Sequence, residues 1–306
     1  MEIVKTEGIS KSYKNKKVLD DVSISISKGD IYGLIGRNGA GKTTLMRILC
    51  GLSSADSGTF SLFGVNGTVS ALRTNIGAII ETPALYPNFT VRKNLQAVAI
   101  LRGISSKSKI IDEMIDLAGL NANVEKKVKN LSLGMKQRLA ISMVMMNEPE
   151  FLILDEPVNG LDPVGIVQVR EMLLNLNKKT GVTILISSHL LTELSQLATK
   201  FGIIEKGCLK EEVTATELFK KLTKTLVIEV GENEQEKVRK IIMDEFKVIC
   251  EIHGTQVKVI SDKIDEIAAK INKLLVDKGL SVSGLNLVSM NLENYFMQIT
   301  GTGGQV

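Results

Sequence analysis

The stretch GRNGAGKT, from Gly36 to Thr43, constrains the fold of this chain more than any other part of its sequence. It follows an apolar run, IYGLIG, that ends in glycine as a buried strand does before a tight turn, and it precedes a helical run, TTLMRILCG. Glycines in such a turn allow successive backbone N–H groups to converge on phosphate oxygens, and the helix N-terminus adds a favourable field. The sequence therefore predicts an α/β fold with a phosphate-binding P-loop.

Residue types within the P-loop predict distinct roles. Lys42 is expected to reach the β- and γ-phosphates of a nucleotide, and the hydroxyl of Thr43 is expected to ligate Mg²⁺. The alternative, a glycine-rich turn that contains Gly-Lys-Thr by accident, is disfavoured by the flanking strand and helix. The predicted nucleotide-binding residues of the loop are Gly36, Asn38, Gly39, Ala40, Gly41, Lys42, Thr43 and Thr44.

Two acids, Asp155 and Glu156, follow the apolar run FLIL. Because open α/β sheets bind ligands at the carboxyl ends of their strands, both side chains are expected beside the phosphates. Asp155 is predicted to hold Mg²⁺ through water, and Glu156 is predicted to be the general base that polarises the attacking water. The alternative, paired acids that merely end a strand, is disfavoured by the presence of a P-loop in the same chain.

His189 ends another apolar run, VTILISSH. A lone histidine is more often structural than catalytic. This one is predicted at the carboxyl end of a second parallel strand, beside the expected phosphates, so we expect it to sense the γ-phosphate. The two apolar strands are separated by a helical pattern, which also predicts a parallel sheet.

The chain is predicted to contain two domains. Residues 1–214 carry the motifs, and the order β-α-β-β-α-β over residues 224–300 predicts a small α+β domain of the ferredoxin-like kind. Asn233 and Glu236 are spaced as in a capping box at the start of its first helix. No group of residues in this second region indicates chemistry, so an accessory role in regulation or interaction is expected.

Composition argues against several classes of function. The 306 residues include 38 Lys and Arg against 34 Asp and Glu, and the net charge of +4 is too small to indicate nucleic-acid binding. Cys50, Cys208 and Cys250 are widely separated and are expected to be reduced thiols of a cytosolic protein. The start MEIVKTE lacks the pattern of a signal peptide, and no apolar run reaches the roughly 18 residues of a membrane span. We therefore expect a soluble chain, with any membrane part on a separate chain.

The stretch LSLGMKQRL contains a second helix start marked by glycine. Ser132 is suited to be the N-cap of a core helix, in which the methionines that follow pack inward. One nucleotide site needs only one P-loop, however, so a spare anion-binding helix start is suited to the nucleotide of another subunit. In a head-to-tail dimer, Ser132 and Gly134 of one subunit would close over the γ-phosphate held by Lys42 of the other.

The P-loop, LSLGM, LDEP, NGLD and His189, in this order and at these intervals, resemble the ATP-binding cassette (ABC) ATPases over about residues 1–212. The resemblance implies ATP hydrolysis with Mg²⁺, in a domain built from a mixed-sheet core, an antiparallel β subdomain and a helical subdomain. It implies that Tyr13 stacks on adenine, that Asp162 links the two sites across a dimer, and that the helices from about residue 90 to 146 dock onto a membrane permease. The signature residues acting in trans would be Ser132, Leu133, Gly134 and Met135.

Two departures from the family pattern narrow the resemblance. Leu133 and Met135 replace the first glycine and the glutamine of the usual Leu-Ser-Gly-Gly-Gln signature. Glu81, in AIIETP, stands where most of these ATPases have a glutamine that senses the γ-phosphate and Mg²⁺ and contacts the permease. Glu81 is therefore a candidate for catalysis, for Mg²⁺ binding and for coupling. In this acid, in the Leu-Gly-Met signature and in the late stretch NLENYF, the chain resembles the bacitracin-resistance and lantibiotic-immunity exporters.

The function expected from these features is that of the ATP-hydrolysing subunit of an exporter. Two such subunits, identical or related, would sandwich two ATP·Mg²⁺ at the cytoplasmic face of the membrane and drive a separate permease that exports an antimicrobial peptide or drug. The alternative is a soluble ABC ATPase that acts on the ribosome or on DNA. It is disfavoured because the sequence has one set of motifs, no coiled-coil repeat and no concentrated basic stripe. The sequence does not identify the cargo or the permease.

Overall fold

The computed structural model describes residues 1–66, 74–104, 109–222, 224–231, 233–261, 263–289 and 292–301. The chain divides into two compact units, Met1–Ala215 and Thr216–Val306. Within the described ranges, none of the helices is both long enough and apolar enough to cross a membrane.

The secondary structure of the first unit mixes strands and helices along the chain. Its strands are β1 (Glu2–Tyr13), β2 (Lys16–Val22), β3 (Ser25–Ser27), β4 (Ile31–Ile35), β5 (Ser57–Leu62), β6 (Val65–Asn66), β7 (Ile76–Ile79), β8 (Phe151–Leu154), β9 (Thr183–Ser188), β10 (Lys200–Glu205) and β11 (Cys208–Thr214). Its helices are α1 (Lys42–Leu49), α2 (Val91–Leu101), α3 (Lys109–Ala118), α4 (Leu133–Met145), α5 (Pro163–Thr180) and α6 (Leu191–Ser195), and α7 (Ala215–Lys221) follows at the boundary.

A six-stranded sheet with the order β11-β10-β4-β9-β8-β7 forms the centre of the first unit. Its strands are parallel except for β11, which pairs antiparallel with β10, so the sheet is mixed as predicted. Strands β4, β8 and β9 are buried along their whole length, which explains why their sequences are nearly continuous apolar runs. Because these three strands are parallel, their carboxyl ends lie at one edge of the sheet, and the residues that follow them share that edge.

A smaller antiparallel sheet, in the order β2-β1-β5-β6 with β3 paired to β1, lies in the same unit. Its side chains Ile9 and Leu19 share a buried core with Leu45 and Met46 of α1. The sheet therefore supports the helix that follows the P-loop. Both the mixed and the antiparallel sheet agree with the subdomains implied by the family resemblance.

Helices α2, α3 and α4 form a helical subdomain around a core of their own. Leu95, Ile115, Leu139 and Met143 are buried in this core. The methionines at the end of α4 point inward as predicted, since Met143, Met145 and Met146 are all buried. The helix that carries the second glycine-marked start is therefore anchored along its length by apolar packing.

The second unit follows the predicted order of elements. These are β12 (Lys224–Val230), α8 (Gln235–Phe246), β13 (Ile249–His253), β14 (Gln256–Ile260), α9 (Ile264–Asp277), β15 (Val282–Ser289) and a final helix α10 (Leu292–Thr300). The four strands form an antiparallel sheet in the order β13-β14-β12-β15. Val238 of α8 and Ile271 of α9 pack with Leu226 and Val257 of the sheet to form one core.

The capping box predicted for Asn233 and Glu236 is wrong. Helix α8 begins after Glu234, and no side chain caps its start. Asn233 has a φ of 70°, in the left-handed region, because the chain turns there with the Glu234 N–H donating to the Gly231 carbonyl. An N-cap residue needs extended backbone geometry, so an asparagine in this turn cannot serve as one.

The three cysteines form no disulfide with one another. Burial raises the pKa of the Cys50 thiol to about 12 and that of the Cys250 thiol to about 11. Both thiols therefore stay protonated at neutral pH, where they behave as small apolar side chains rather than as nucleophiles.

Candidate nucleotide-binding site

The P-loop turns from β4 into α1 through positions that only glycine can occupy. A Cβ atom on Gly36 would lie 2.5 Å from the carbonyl oxygen of Ile204. Gly41 has a φ of 110°, and a Cβ there would lie 2.7 Å from a methyl carbon of Leu19. The loop is therefore packed against β2 and β10 by its backbone, which leaves its other side open.

The open side of the loop is a pocket of about 190 Å³. Helix α1 starts at this pocket with Gly41 as its N-cap residue and no side-chain cap. The first N–H groups of such a helix can bind an anion, because they have no partner within the helix itself. The residues that line the pocket are Val18, Arg37, Asn38, Gly39, Ala40, Gly41, Lys42, Thr43, Thr44 and Glu156.

Lys42 is enclosed by the loop that precedes it. Its side chain is buried, and its Nζ donates a hydrogen bond of 2.6 Å to the Gly36 carbonyl. The same Nζ lies 3.1 Å from Oε1 of Glu156. The ammonium group is thus fixed between the loop and the predicted general base, at the wall of the phosphate-sized pocket.

Asp155 holds the start of α1 and the end of β9 together. It is nearly buried, and its two carboxylate oxygens accept hydrogen bonds of 2.6 Å from the hydroxyls of Thr43 and Ser187. Ser187 also accepts a 2.9 Å bond from the Glu156 N–H. The sequence motifs did not point to Ser187, although it lies in the apolar run two residues before the predicted sensor histidine, which is a usable signal.

The hydroxyl of Thr43 and the carboxylate of Asp155 fit a magnesium ion in their chemistry. Mg²⁺ prefers oxygen ligands and is usually bound by one or two protein groups together with nucleotide phosphates and water. Among the described residues, no group of three or more His, Cys, Asp or Glu side chains could hold a metal by itself. The oxygen ligands at this edge of the sheet therefore suit a metal ion that binds together with the nucleotide.

Glu156 is held in a strained backbone conformation beside His189. Its φ is 49°, which is uncommon for a residue with a side chain and often accompanies a functional site. Its Oε2 lies 2.8 Å from Nδ1 of His189. Its Oε1 accepts no hydrogen bond within the described part of the chain and is stabilised by the charge of Lys42. One carboxylate oxygen is thus oriented, and the other remains beside the pocket.

Glu81 follows β7, the edge strand of the central sheet that the sequence analysis did not predict. Its φ is 66°, and its carboxylate forms an ion pair with the guanidinium of Arg47. Arg47 lies on α1, four residues after Thr43. Arg47 could not be predicted as a site residue, because the sequence around it does not show which carboxylate it pairs with.

The signature residues lie together, apart from the pocket lining. Ser132 is the N-cap of α4, and its hydroxyl accepts a 3.3 Å bond from the Met135 N–H. The side chain of Leu133 is 51% exposed, whereas Gly134 is buried where a Cβ would lie 3.3 Å from Gly165. None of the four predicted signature residues is among the described residues that line the pocket.

Asp162 caps the neighbouring helix α5. Its carboxylate accepts a 3.1 Å hydrogen bond from the Gly165 N–H. Because Gly165 contacts Gly134, the starts of α4 and α5 are packed on each other. The structure therefore brings the predicted dimer-linking acid close to the signature within one chain.

Tyr13 lies at the end of β1 and is 45% exposed. Lys11 Nζ is 5.6 Å from the centre of its ring, and its hydroxyl shares a hydrogen bond of 3.4 Å with Ser53. Tyr13 is not among the described residues that line the phosphate pocket. Its predicted stacking on adenine stays a prediction.

Known proteins resemble the chain in sequence and in fold. Residues 19–159 match the family described as ABC transporter. The chain is 38% identical over 304 residues to the bacitracin transport ATP-binding protein of Enterococcus faecalis, an alignment that covers 99% of this chain and 97% of the relative. It is 44% identical over 206 residues to the lantibiotic transport ATP-binding protein of Streptococcus pyogenes, covering 67% of this chain and 88% of the relative.

A solved structure of an ATP-binding cassette from an ABC transporter, in its ADP conformation, has the same fold. The TM-score is 0.66 at 28% identity, over 72% of this chain and 94% of the other. The match in fold, the relative that aligns with 99% of the chain and the phosphate pocket lead to the same conclusion. The chain belongs to the ABC transporter family and is an ATPase.

Proposed function

We propose that this chain powers a separate membrane permease that exports an antimicrobial peptide or drug. Two copies, or one copy and a related subunit, dimerise around two ATP·Mg²⁺ at the cytoplasmic face of the membrane. The observation that carries the hydrolytic part of this proposal is the placement of Lys42 and Glu156 at one pocket, with 3.1 Å between the ammonium nitrogen and the carboxylate oxygen. The group that binds the terminal phosphates and the group that activates water then act on the same phosphorus.

Residues in the pocket and beside it divide the roles in this hydrolysis. The loop N–H groups and Lys42 bind the phosphates, and Thr43 and Asp155 would hold the Mg²⁺ ion that accompanies the nucleotide. Bound Mg²⁺ supplies charge neutralisation on the phosphate oxygens. Glu156 accepts the proton of the attacking water, while His189 orients the Glu156 carboxylate and senses the γ-phosphate.

The proposal that the activity serves export rests on the relatives. Those reported above are named for transport of bacitracin and of a lantibiotic. The helices α2 to α4 are proposed to dock onto the permease, as the family resemblance implies. The alternative, an ATPase acting on the ribosome or DNA, is not favoured by these relatives. Purification of the chain from membranes together with a bound permease would test the assignment directly.

The proposal of a dimer is supported by the start of α4. Ser132 and Leu133 are exposed, and neither lines the phosphate pocket of their own chain among the described residues. In the dimer, this start closes over the γ-phosphate of the second copy, Asp162 links the two sites, and Tyr13 stacks on adenine.

The second unit is proposed to be a ferredoxin-like accessory domain. Its order of elements and its antiparallel sheet support this assignment. No group of titratable residues in its described part resembles a metal centre. A role in regulation or in binding a partner fits it best.

Substitution of Glu156 tests the proposed chemistry. Glu156→Gln removes the base but keeps the shape of the pocket, so turnover should fall about 100- to 10,000-fold while ATP affinity stays within a few-fold. Chelation of Mg²⁺ should abolish hydrolysis by the native chain. The matched control is Glu125→Gln, on an exposed side chain of the helical subdomain. Hydrolysis by Glu156→Gln at a rate near that of the native chain would refute the assignment.

A further inference from the structure

Glu81 and Arg47 form an ion pair that the catalytic roles above leave unexplained. The Arg47 side chain is 40% exposed and that of Glu81 is 60% exposed. Exposed pairs of this kind contribute only about 0–1 kcal/mol to stability. The pair is therefore of interest for its position rather than for its contribution to folding.

The position of Arg47 is set by α1. Arg47 follows Thr43 by four residues, so both side chains lie on one face of the helix. Thr43 donates a hydrogen bond to Asp155 at the edge of the sheet. The guanidinium group thus lies one helical turn from a hydroxyl that is proposed to ligate Mg²⁺.

The position of Glu81 is set by the central sheet. Strand β7 pairs in parallel with β8, and the Asp155 N–H donates a 2.9 Å bond to the Ile79 carbonyl. Glu81 and Asp155 therefore leave neighbouring strands at the same edge. The left-handed backbone of Glu81 turns the chain there, where its carboxylate contacts Arg47.

The charges at this edge explain why Glu81 needs a partner. Glu81 is not among the described residues that line the phosphate pocket, but it leaves the same edge of the sheet as Asp155 and Glu156, so three carboxylates lie along the edge that is proposed to receive a polyanion. Lys42 lies beside Glu156, and Asp155 accepts two hydroxyl donors. Arg47 is the cation that faces Glu81. Without it, the carboxylate of Glu81 would repel the phosphates.

We propose that Arg47 is a positioning residue that neutralises and orients Glu81, so that ATP·Mg²⁺ can bind beside a carboxylate at this position. The inference rests on the proposed function and on the expectation from the sequence that Glu81 lies near the nucleotide. It assigns the compensating cation to this chain itself, rather than to a permease. It also explains how an acid is tolerated at a position where the family usually has a neutral glutamine.

A double-mutant cycle tests the inference in the full-length chain. Arg47→Met keeps much of the side-chain volume and removes the charge, and it should raise KM for ATP·Mg²⁺ about 5- to 20-fold with a smaller effect on kcat. Arg47→Met combined with Glu81→Gln should return KM to within about 2-fold of that of Glu81→Gln alone, because no uncompensated charge remains. The defect of Arg47→Met should shrink at high salt, since both side chains are partly exposed.

Arg239→Met is the matched control. Arg239 forms a similar guanidinium–carboxylate pair with Glu236, at 3.2 Å, on α8, and it is as exposed as Arg47. Its substitution should leave KM unchanged. Two results would overturn the inference: an unchanged KM in Arg47→Met, or a raised KM that Glu81→Gln does not restore, which would indicate a purely structural role. Failure of the proposed function is distinct, because it would appear as normal turnover in Glu156→Gln.

Discussion

Two helices in this molecule, α1 and α4, start beside a glycine, and the two starts differ in almost every other respect. Helix α1 starts after Gly41 with no side-chain cap, and it faces a pocket that its own chain completes with Glu156. Helix α4 is capped by the Ser132 hydroxyl, and the Leu133 side chain at its first position is 51% exposed.

A glycine-marked helix start is therefore not by itself a binding site. Around α1, the carboxyl ends of parallel strands place Glu156 in the wall of the pocket and Asp155 against the Thr43 hydroxyl beside it. Around α4, the neighbouring element is the start of α5, and the nearest contact of Gly134 is Gly165. Among the described residues, none of Ser132, Leu133, Gly134 and Met135 lines the phosphate pocket of its own chain, which is why we propose that this start faces the nucleotide of a second copy.

Of the substitutions at the two helix starts, Lys42→Met should have the largest effect, because it removes the ammonium group at the start of α1. ATP affinity should fall about 10- to 100-fold for each hydrogen bond to phosphate that is lost. The substitution also removes the ammonium group that lies 3.1 Å from the buried Oε1 of Glu156, so the free energy of unfolding should fall by about 1–3 kcal/mol.

Thermal unfolding and ATP binding of the double variant separate these two effects. Lys42→Met with Glu156→Gln should regain stability but not affinity, because the neutral amide needs no cation while the phosphates still do. If affinity returns together with stability, Lys42 acts on the fold rather than on the nucleotide.

A smaller effect is expected from Ser132→Ala, which removes the cap of the second start. Loss of the bond from the Met135 N–H should lower the free energy of unfolding by about 1 kcal/mol. The matched control is Thr90→Ala, since Thr90 caps α2 by the same geometry, with a 3.2 Å bond from the Lys93 N–H. Both variants should lose similar stability, as measured by urea unfolding.

Their ATPase rates should nevertheless differ. Only Ser132→Ala should slow hydrolysis beyond what the loss of stability explains, because only Ser132 is proposed to contact a nucleotide. Equal ATPase rates in the two variants would indicate that Ser132 acts only as a helix cap. The start of α4 would then have no role at a nucleotide.

The sequence predicted those parts of the site that follow from local patterns. The apolar runs before Gly36, Asp155 and His189 could be assigned to parallel strands, and parallel strands bring their carboxyl ends together. The four residues of β7, IGAI, are too short and too small to show a periodicity, so this strand and the placement of Glu81 could not be predicted.

Contacts between distant parts of the chain were also missed. Ser187 bonds to Asp155 and Arg47 bonds to Glu81 across 32 and 34 residues of sequence. Such pairs depend on which strands become neighbours and on where a helix face points. The error at Asn233 has a related origin, since a turn fixed by the backbone overrode a local sequence signal.

A mixed dimer tests most directly whether the second start completes the site of another copy. One chain carries Lys42→Met, and its partner carries Leu133→Asp. The aspartate should not disturb folding, because the Leu133 side chain is exposed and an acid is favourable in the first turn of a helix, yet it would repel a phosphate. Leu133→Asn is the neutral control.

Both chains also carry Glu156→Gln, so that bound ATP is retained, and two affinity tags isolate the mixed dimer. We expect about one trapped ATP per mixed dimer, compared with about two when neither Lys42 nor Leu133 is changed, because both defects fall in one composite site. We expect almost none in dimers of either chain alone. A mixed dimer that traps no more ATP than those dimers would show that the start of α4 does not complete the site of another copy.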